Sequence, residues 1–295
     1  MITEEIRQKI KRIKIHTGRV MHTTLSGDYA SAFKGSGLEF DQLREYQSGD
    51  DIRTIDWNSS AKMNKLMVKQ FIEERDRTII LCIDVSASGV YGSAGLLRSE
   101  LMAQVGAALT FIANHHKDKV GALFFSDVIE EWIPPKRSTL QIGAIIEKIF
   151  TIQVRNKKTD PDVALRFLIN LRKRNAILFF LSDWFFDSPS YEKLLRVTAI
   201  EYDFVALRFL DDREHAFVDI GLLELEDPET GQCAIIDTSA KNKAGHSLQV
   251  SLEGRLIKQK RVFDKYKIDY VDIPVREDFF GHLAKYFHAR TKRQI

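Results

Sequence analysis

The chain has 295 residues, 44% hydrophobic, 29% charged and 10% aromatic, an ordinary globular composition long enough for one large domain and a smaller attachment. The net charge of +3 does not by itself imply nucleic acid, and no stretch approaches the roughly 18 uninterrupted apolar residues of a membrane span. The N-terminus is charged from Glu4 onward, which excludes a secretory signal, and a cytoplasmic protein is expected.

Ile2, Ile6, Ile10 and Ile13 recur at helical spacing with charge between them, so the chain opens on an amphipathic helix. The basic residues Lys9, Lys11, Arg12, Lys14 and Arg19, and later Arg290, Lys292 and Arg293, read as solvated faces and a tail; a weak anionic contact surface is the alternative. Gly27, Gly35, Gly37 and Gly49 punctuate residues 26–50 and predict irregular structure. Residues 1–75 are therefore expected to be an N-terminal helix and a glycine-rich clamp wrapping a domain at 76–295.

From Thr78 the pattern alternates. Thr78–Ile83 and Val120–Phe125 read as strands, with a helix between them marked by Leu97, Leu101, Val105, Ala108 and Ile112. Ser138 and Gln141 give a capping-box signature, and Asp160 is an N-cap candidate for a helix opening at Pro161. Ala176–Leu181 is so apolar that both its faces must be covered, as in a central parallel strand. Phe204–Leu210 follows, then a hairpin inserted at about 217–238, a helix through Leu248 to Phe263, a strand at Ile268–Ile273 and a last helix. The fold class expected is a doubly wound, mostly parallel α/β sheet. Cys82 and Cys233 lie in apolar strand-like runs and read as reduced core thiols.

In such a sheet, ligands bind beyond the carboxyl ends of the strands where the strand order reverses. The first strand delivers Asp84, Ser86 and Ser88 there; the strand at 176–181 delivers Ser182 and Asp183; the loop before Pro161 delivers Thr159. Among them the two carboxylates and the hydroxyls of Ser86, Ser88 and Thr159, with no His or Cys, suit a hard cation, Mg²⁺ first and Mn²⁺ or Ca²⁺ next. Neutral hydroxyls leave the ion a positive field that an outside carboxylate would satisfy. Alternatively, Asp84 and Ser86 merely cap a turn and a helix.

Asp84-x-Ser86-x-Ser88, Thr159 and Asp183 resemble the metal-ion-dependent adhesion site of von Willebrand factor A-type domains. Gly35-Ser36-Gly37-Leu38-Glu39-Phe40, Arg44-Glu45-Tyr46, Gly49-Asp50-Asp51-Ile52-Arg53 and Ile55-Asp56-Trp57 are similar to the bacterial "domain of unknown function fifty-eight" family, over about Gly18 to Asp237. The resemblance implies a non-enzymatic, metal-dependent adaptor or chaperone-like factor working with a MoxR-type AAA+ ATPase or its client. One departure stands out: Glu201-Tyr202-Asp203 replaces a usual His-Asp pair.

Physically, Arg44, Arg53, Asp56 and Trp57 are expected to form a structural clamp, with Trp57 buried and the charges in a buried network; a second binding site is the alternative. Val90, Tyr91, Trp132, Trp184 and Phe185 are expected as an apolar, partner-binding rim around the ion, or else as residues partly buried under loops. Two other functions fit parts of the sequence: a metal-dependent phosphohydrolase using Asp84, and a nucleic-acid-associated factor using the basic N-terminal helix. Against the first, Ser86 stands where such enzymes need a second Asp, and no P-loop motif is present.

Overall fold

The computed structural model describes residues 4–21, 24–33, 38–73, 77–90, 97–152, 158–173, 176–186, 190–211, 221–226, 233–237 and 243–293. Tyr91, Gly35 to Gly37 and the side chains of Ser88 and Val90 lie outside the described residues. The chain divides into two units, 1–32 with 78–295, and 33–77. The N-terminal helix, expected to group with residues up to 75, belongs with the large unit. Its apolar stripe explains this: α1 (Glu4–Met21) buries Ile13 and packs beside α4 (Arg98–His115). The Lys9 ammonium lies 2.6 Å from Glu100 of that helix. α2 (Thr24–Ala32), unforeseen in the sequence, runs along the C-terminal helix, where Tyr29 is fully buried.

Residues 33–77 are more regular than their glycines predict. β1 (Leu38–Glu45) pairs antiparallel with β2 (Met67–Glu73), and α3 (Trp57–Met63) lies between them in sequence. Asp56 caps α3, its Oδ1 accepting from the backbone N–H groups of Asn58 and Ser59 at 3.0 and 3.1 Å. Arg44 forks onto both carboxylate oxygens of Asp50 at 2.7 Å and holds that carboxyl below its ordinary range. The expected buried network is corrected. Arg44 pairs with Asp50, Asp56 pairs with Lys69 at 3.3 Å, and Arg53 is exposed. Trp57, expected to be buried, is 65% exposed, because it opens a short helix whose buried residue is Ser60.

The large unit is built on a six-stranded sheet. In chain order its elements are β3 (Thr78–Asp84), α4, β4 (Lys119–Phe125), β5 (Ile129–Lys136), α5 (Thr139–Thr151), α6 (Pro161–Leu171), β6 (Ile177–Ser182), α7 (Tyr191–Glu201) and β7 (Asp203–Leu210). A separate antiparallel hairpin, β8 (Leu222–Glu226) with β9 (Cys233–Asp237), follows as expected, then α8 (Lys243–Tyr266), β10 (Asp269–Pro274) and α9 (Phe279–Arg293). Cys82 is a buried free thiol, but Cys233 is exposed on the hairpin, against expectation.

The sheet order is β10-β7-β6-β3-β4-β5, parallel except for β5. Ile79 to Ile83 of β3 and Ile177 to Leu181 of β6 are buried on both faces, which is why these runs read as continuous apolar sequence. β5 is a strand that was not among those expected. Its Pro134-Pro135 is tolerated on an edge strand, and the register shifts between Val120 and Ala122. Gly121 makes this possible, since a Cβ there would meet Ile133 O and Pro135 N at 2.8 Å. Ser138 caps α5 as predicted, but the Gln141 amide turns to Val120 O and Pro134 O, tying the helix to the β4–β5 pair.

Candidate functional site

The chain runs from β3 outward to β4 and β5, then returns to the other side of β3 as β6, β7 and β10. The strand order therefore reverses between β3 and β6, and a crevice is expected beyond their carboxyl ends. Asp84 closes β3, and Ser182 and Asp183 close β6. The register pairs Ile83 with Leu181, so the two acidic residues leave the sheet side by side. The helices run back against the strands, which brings the first turns of α4, α6 and α7 to this same end.

All four polar groups at this junction are withdrawn from water: Asp84, Ser86, Ser182 and Asp183 are at most 5% exposed. Asp84 Oδ1 accepts from the Ser86 backbone N–H at 3.0 Å, and its Oδ2 accepts from Ser182 Oγ at 2.9 Å. Ser182 Oγ in turn accepts from the Trp184 N–H at 3.1 Å. Asp183 Oδ1 accepts from the Phe185 N–H at 3.1 Å, and its Oδ2 takes Arg98 Nη1 at 2.9 Å. Burial first, and then the charge of Asp183, push the Asp84 carboxyl up to about 7, against the hydrogen bonds from Ser86 and Ser182.

Trp184 takes a left-handed backbone, φ 63°, which is uncommon for a bulky residue and costs on the order of 1 kcal/mol or more. The turn sends its indole back into the core and leaves Asp183 at the junction. There the ring meets Phe180, Phe186 and Phe263, and its Nε1 donates to Leu207 O at 3.2 Å. The expected apolar rim is corrected accordingly. Trp184 is 3% exposed and belongs to the core, while Trp132 sits half-buried on β5, edge-on to Phe167. Phe185 keeps partial exposure beside Asp183. Tyr91 and the Val90 side chain lie outside the described residues.

Thr159 is half-buried on the segment leading into α6, which is tied to the β4 end by Asp160 N donating to Ser126 O at 3.1 Å. Asp160 is the predicted N-cap, with Asp162 N at 2.9 Å from its Oδ1. Asp84, Ser86 and Asp183 are thus brought together and Thr159 lies at the same end of the sheet. Ser88 follows in a short 3₁₀ turn, Ala87–Val90.

One participant was missed in the sequence, Arg98 as the counter-ion of Asp183; Ser182 was placed at this strand end without its role as the hydroxyl bridging to Asp84. A signal for Arg98 was present: a cation in the first turn of a helix opposes the helix dipole and calls for a nearby carboxylate. The departure at Glu201-Tyr202-Asp203 has a structural explanation far from this crevice. Tyr202 Oη donates to Leu168 O at 2.7 Å, and Asp203 pairs with Arg290 of α9, which also holds Asp269 at 2.7 Å.

The donor set fits a hard cation. It offers oxygen only, and it crowds two carboxylates until one is driven toward protonation, with Arg98 paired to Asp183. Among the described residues no three His, Cys, Asp or Glu side chains gather as a metal cluster, so hydroxyls would have to complete the coordination.

The family described as "Protein of unknown function DUF58" matches residues 42–249, more than half of the chain. An uncharacterized protein of Mycobacterium tuberculosis is 26% identical over 251 residues, covering 82% of this chain and 79% of that protein. An aerotolerance-related membrane protein of Bacteroides fragilis superposes with a TM-score of 0.50 at 11% identity, over 74% of this chain and 99% of that one, a likeness of fold alone. The VWA domain of SpRpn10 superposes with a TM-score of 0.38 at 11% identity, over 72% of this chain and 93% of that one. No helix among the described residues is long and apolar enough to cross a membrane. With residues 42–249 matched, on a mostly parallel sheet whose switch point carries the Asp84–Asp183 pair, the chain is a member of the DUF58 family.

Proposed function

We propose that this chain is a protein-binding adaptor that captures a partner's carboxylate through a divalent ion, Mg²⁺ first, with Mn²⁺ or Ca²⁺ as substitutes. The observation that carries this reading is the meeting of Asp84 and Asp183 at the switch point, close enough that Asp183 helps push the Asp84 carboxyl up to about 7. A buried pair of carboxylates, with a guanidinium paired to Asp183, invites a cation. Asp84 and Asp183 would hold the ion with Ser86, Ser88 and Thr159, and the ion would supply a positive field toward a ligand from outside.

The partner we propose, on the family resemblance, is a MoxR-type AAA+ ATPase or its client. No catalytic step is assigned to these residues. Asp84 has both carboxylate oxygens engaged, by Ser86 N–H and Ser182 Oγ, which disfavours it as a free nucleophile. The test is capture of the purified ATPase by the full chain in Mg²⁺ and in chelator, with Ser86→Ala as a second arm. Capture that persists unchanged in chelator would show any metal to be structural and end this reading.

A further inference from the structure

We infer that Arg98 makes metal binding and carboxylate binding at this centre depend on one another, so that the site takes an anionic partner and a divalent ion together and holds either one weakly alone. This inference rests on the metal-centre reading of the same site. Its basis is the contact between Arg98 and Asp183, 2.9 Å long with the two side chains 2% and 6% exposed.

A guanidinium stays charged at any pH a folded protein experiences, so it cannot relieve repulsion by losing a proton. Nor can Arg98 readily swing away. It stands in the first turn of α4, which buries Leu101, Met102, Val105 and Leu109 in the core. Its position at a helix N-terminus, where the dipole disfavours a cation, makes Asp183 its natural counter-charge.

The charges then decide the order of events. Counted in the ionised state that a cation requires, Asp84 and Asp183 bring two negative charges and Arg98 one positive, so this trio is singly negative. A divalent ion would turn it singly positive and lie near a fixed guanidinium in a poorly solvated place. One carboxylate from outside restores neutrality; a hydroxyl or an amide does not. Binding free energies are reciprocal, so the carboxylate that strengthens metal binding is itself held more tightly when metal is present. Without Arg98 the two carboxylates would neutralise the ion by themselves, and the outside anion would lose its advantage. Arg98 is thus a specificity-determining residue that selects partners presenting Asp, Glu or a chain terminus.

The experiment titrates the full chain with Mn²⁺, reading free ion by electron paramagnetic resonance, in sodium acetate and in sodium chloride at matched ionic strength. Wild type should bind Mn²⁺ several-fold more tightly in acetate. Arg98→Met should bind about ten-fold or more tightly than wild type in chloride and show no acetate effect, because the like charge is gone. Arg98→Lys, whose ammonium can shed its proton when buried beside the ion, should fall between wild type and Arg98→Met. An acetate-independent wild type, or an Arg98→Met variant no tighter than wild type, would overturn the inference while leaving the metal reading intact. Absence of Mn²⁺ binding by wild type and variants in both salts would instead overturn the metal reading and this inference with it. Should circular dichroism show Arg98→Met unfolded, the wild-type acetate comparison decides alone.

Discussion

Arg98 Nη1 lies 2.9 Å from Asp183 Oδ2 at the C-terminal end of the central strands, with both side chains buried. Removing one partner of such a pair leaves a buried charge uncompensated, so Arg98→Met should cost about 3–5 kcal/mol in chelator. A divalent ion should return part of that loss by standing in as counter-charge. Urea melts with and without Mg²⁺ check this, and a variant as stable as wild type in chelator would mean that the pair contributes nothing net.

Metal occupancy is expected to need both acidic residues. Calorimetric titration should show one Mg²⁺ or Mn²⁺ site, lost in Asp84→Ala and strongly weakened in Asp183→Ala. Undiminished binding in both variants would exclude this crevice as the metal centre.

The metal-free protein should lose stability as pH rises from about 4 to 7. The Asp84 carboxyl sits at about 7 in the fold, chiefly through burial and then through Asp183, against about 4 in an unfolded chain. Between those values the folded state binds the extra proton, so stability is complete below the lower value and falls as pH climbs through the upper one. Melting temperatures across this range in chelator should fall for wild type and flatten in Asp84→Asn. An equal slope in both proteins would locate the pH dependence elsewhere.

The two tryptophans expected in clamp and rim differ sharply in burial, and their stability costs should follow. Trp184, 3% exposed among Phe180, Phe204 and Phe263, should cost about 3–5 kcal/mol on replacement by Ala. Trp57, 65% exposed, should cost within about 0.5 kcal/mol, as surface substitutions do. Denaturant midpoints for the two variants measure the contrast, and equal losses would contradict both burials.

Local chemistry accounts for what could be read before folding. The runs at Thr78–Asp84 and Ile177–Ser182 are apolar on both faces because a central parallel strand has no solvent side, and that pattern is visible one residue after another. The cap at Asp160, the turn at Ser138 and the hairpin spacing are equally local, as is the exit of Asp84, Ser86 and Asp183 from strand ends. Tertiary structure decided the rest. Only the placement of β6 beside β3 brings Asp183 to Asp84 across about a hundred residues of chain and drives the carboxyl of Asp84 upward. Only the docking of α4 sets Arg98 against Asp183, 85 residues away. The left-handed turn at Trp184 that hides its indole, and the edge strand that Gly121 admits beside Pro135, follow from contacts rather than composition. Charge and burial at the site are sums over neighbours from several elements, and the chain acquires those neighbours only when it folds.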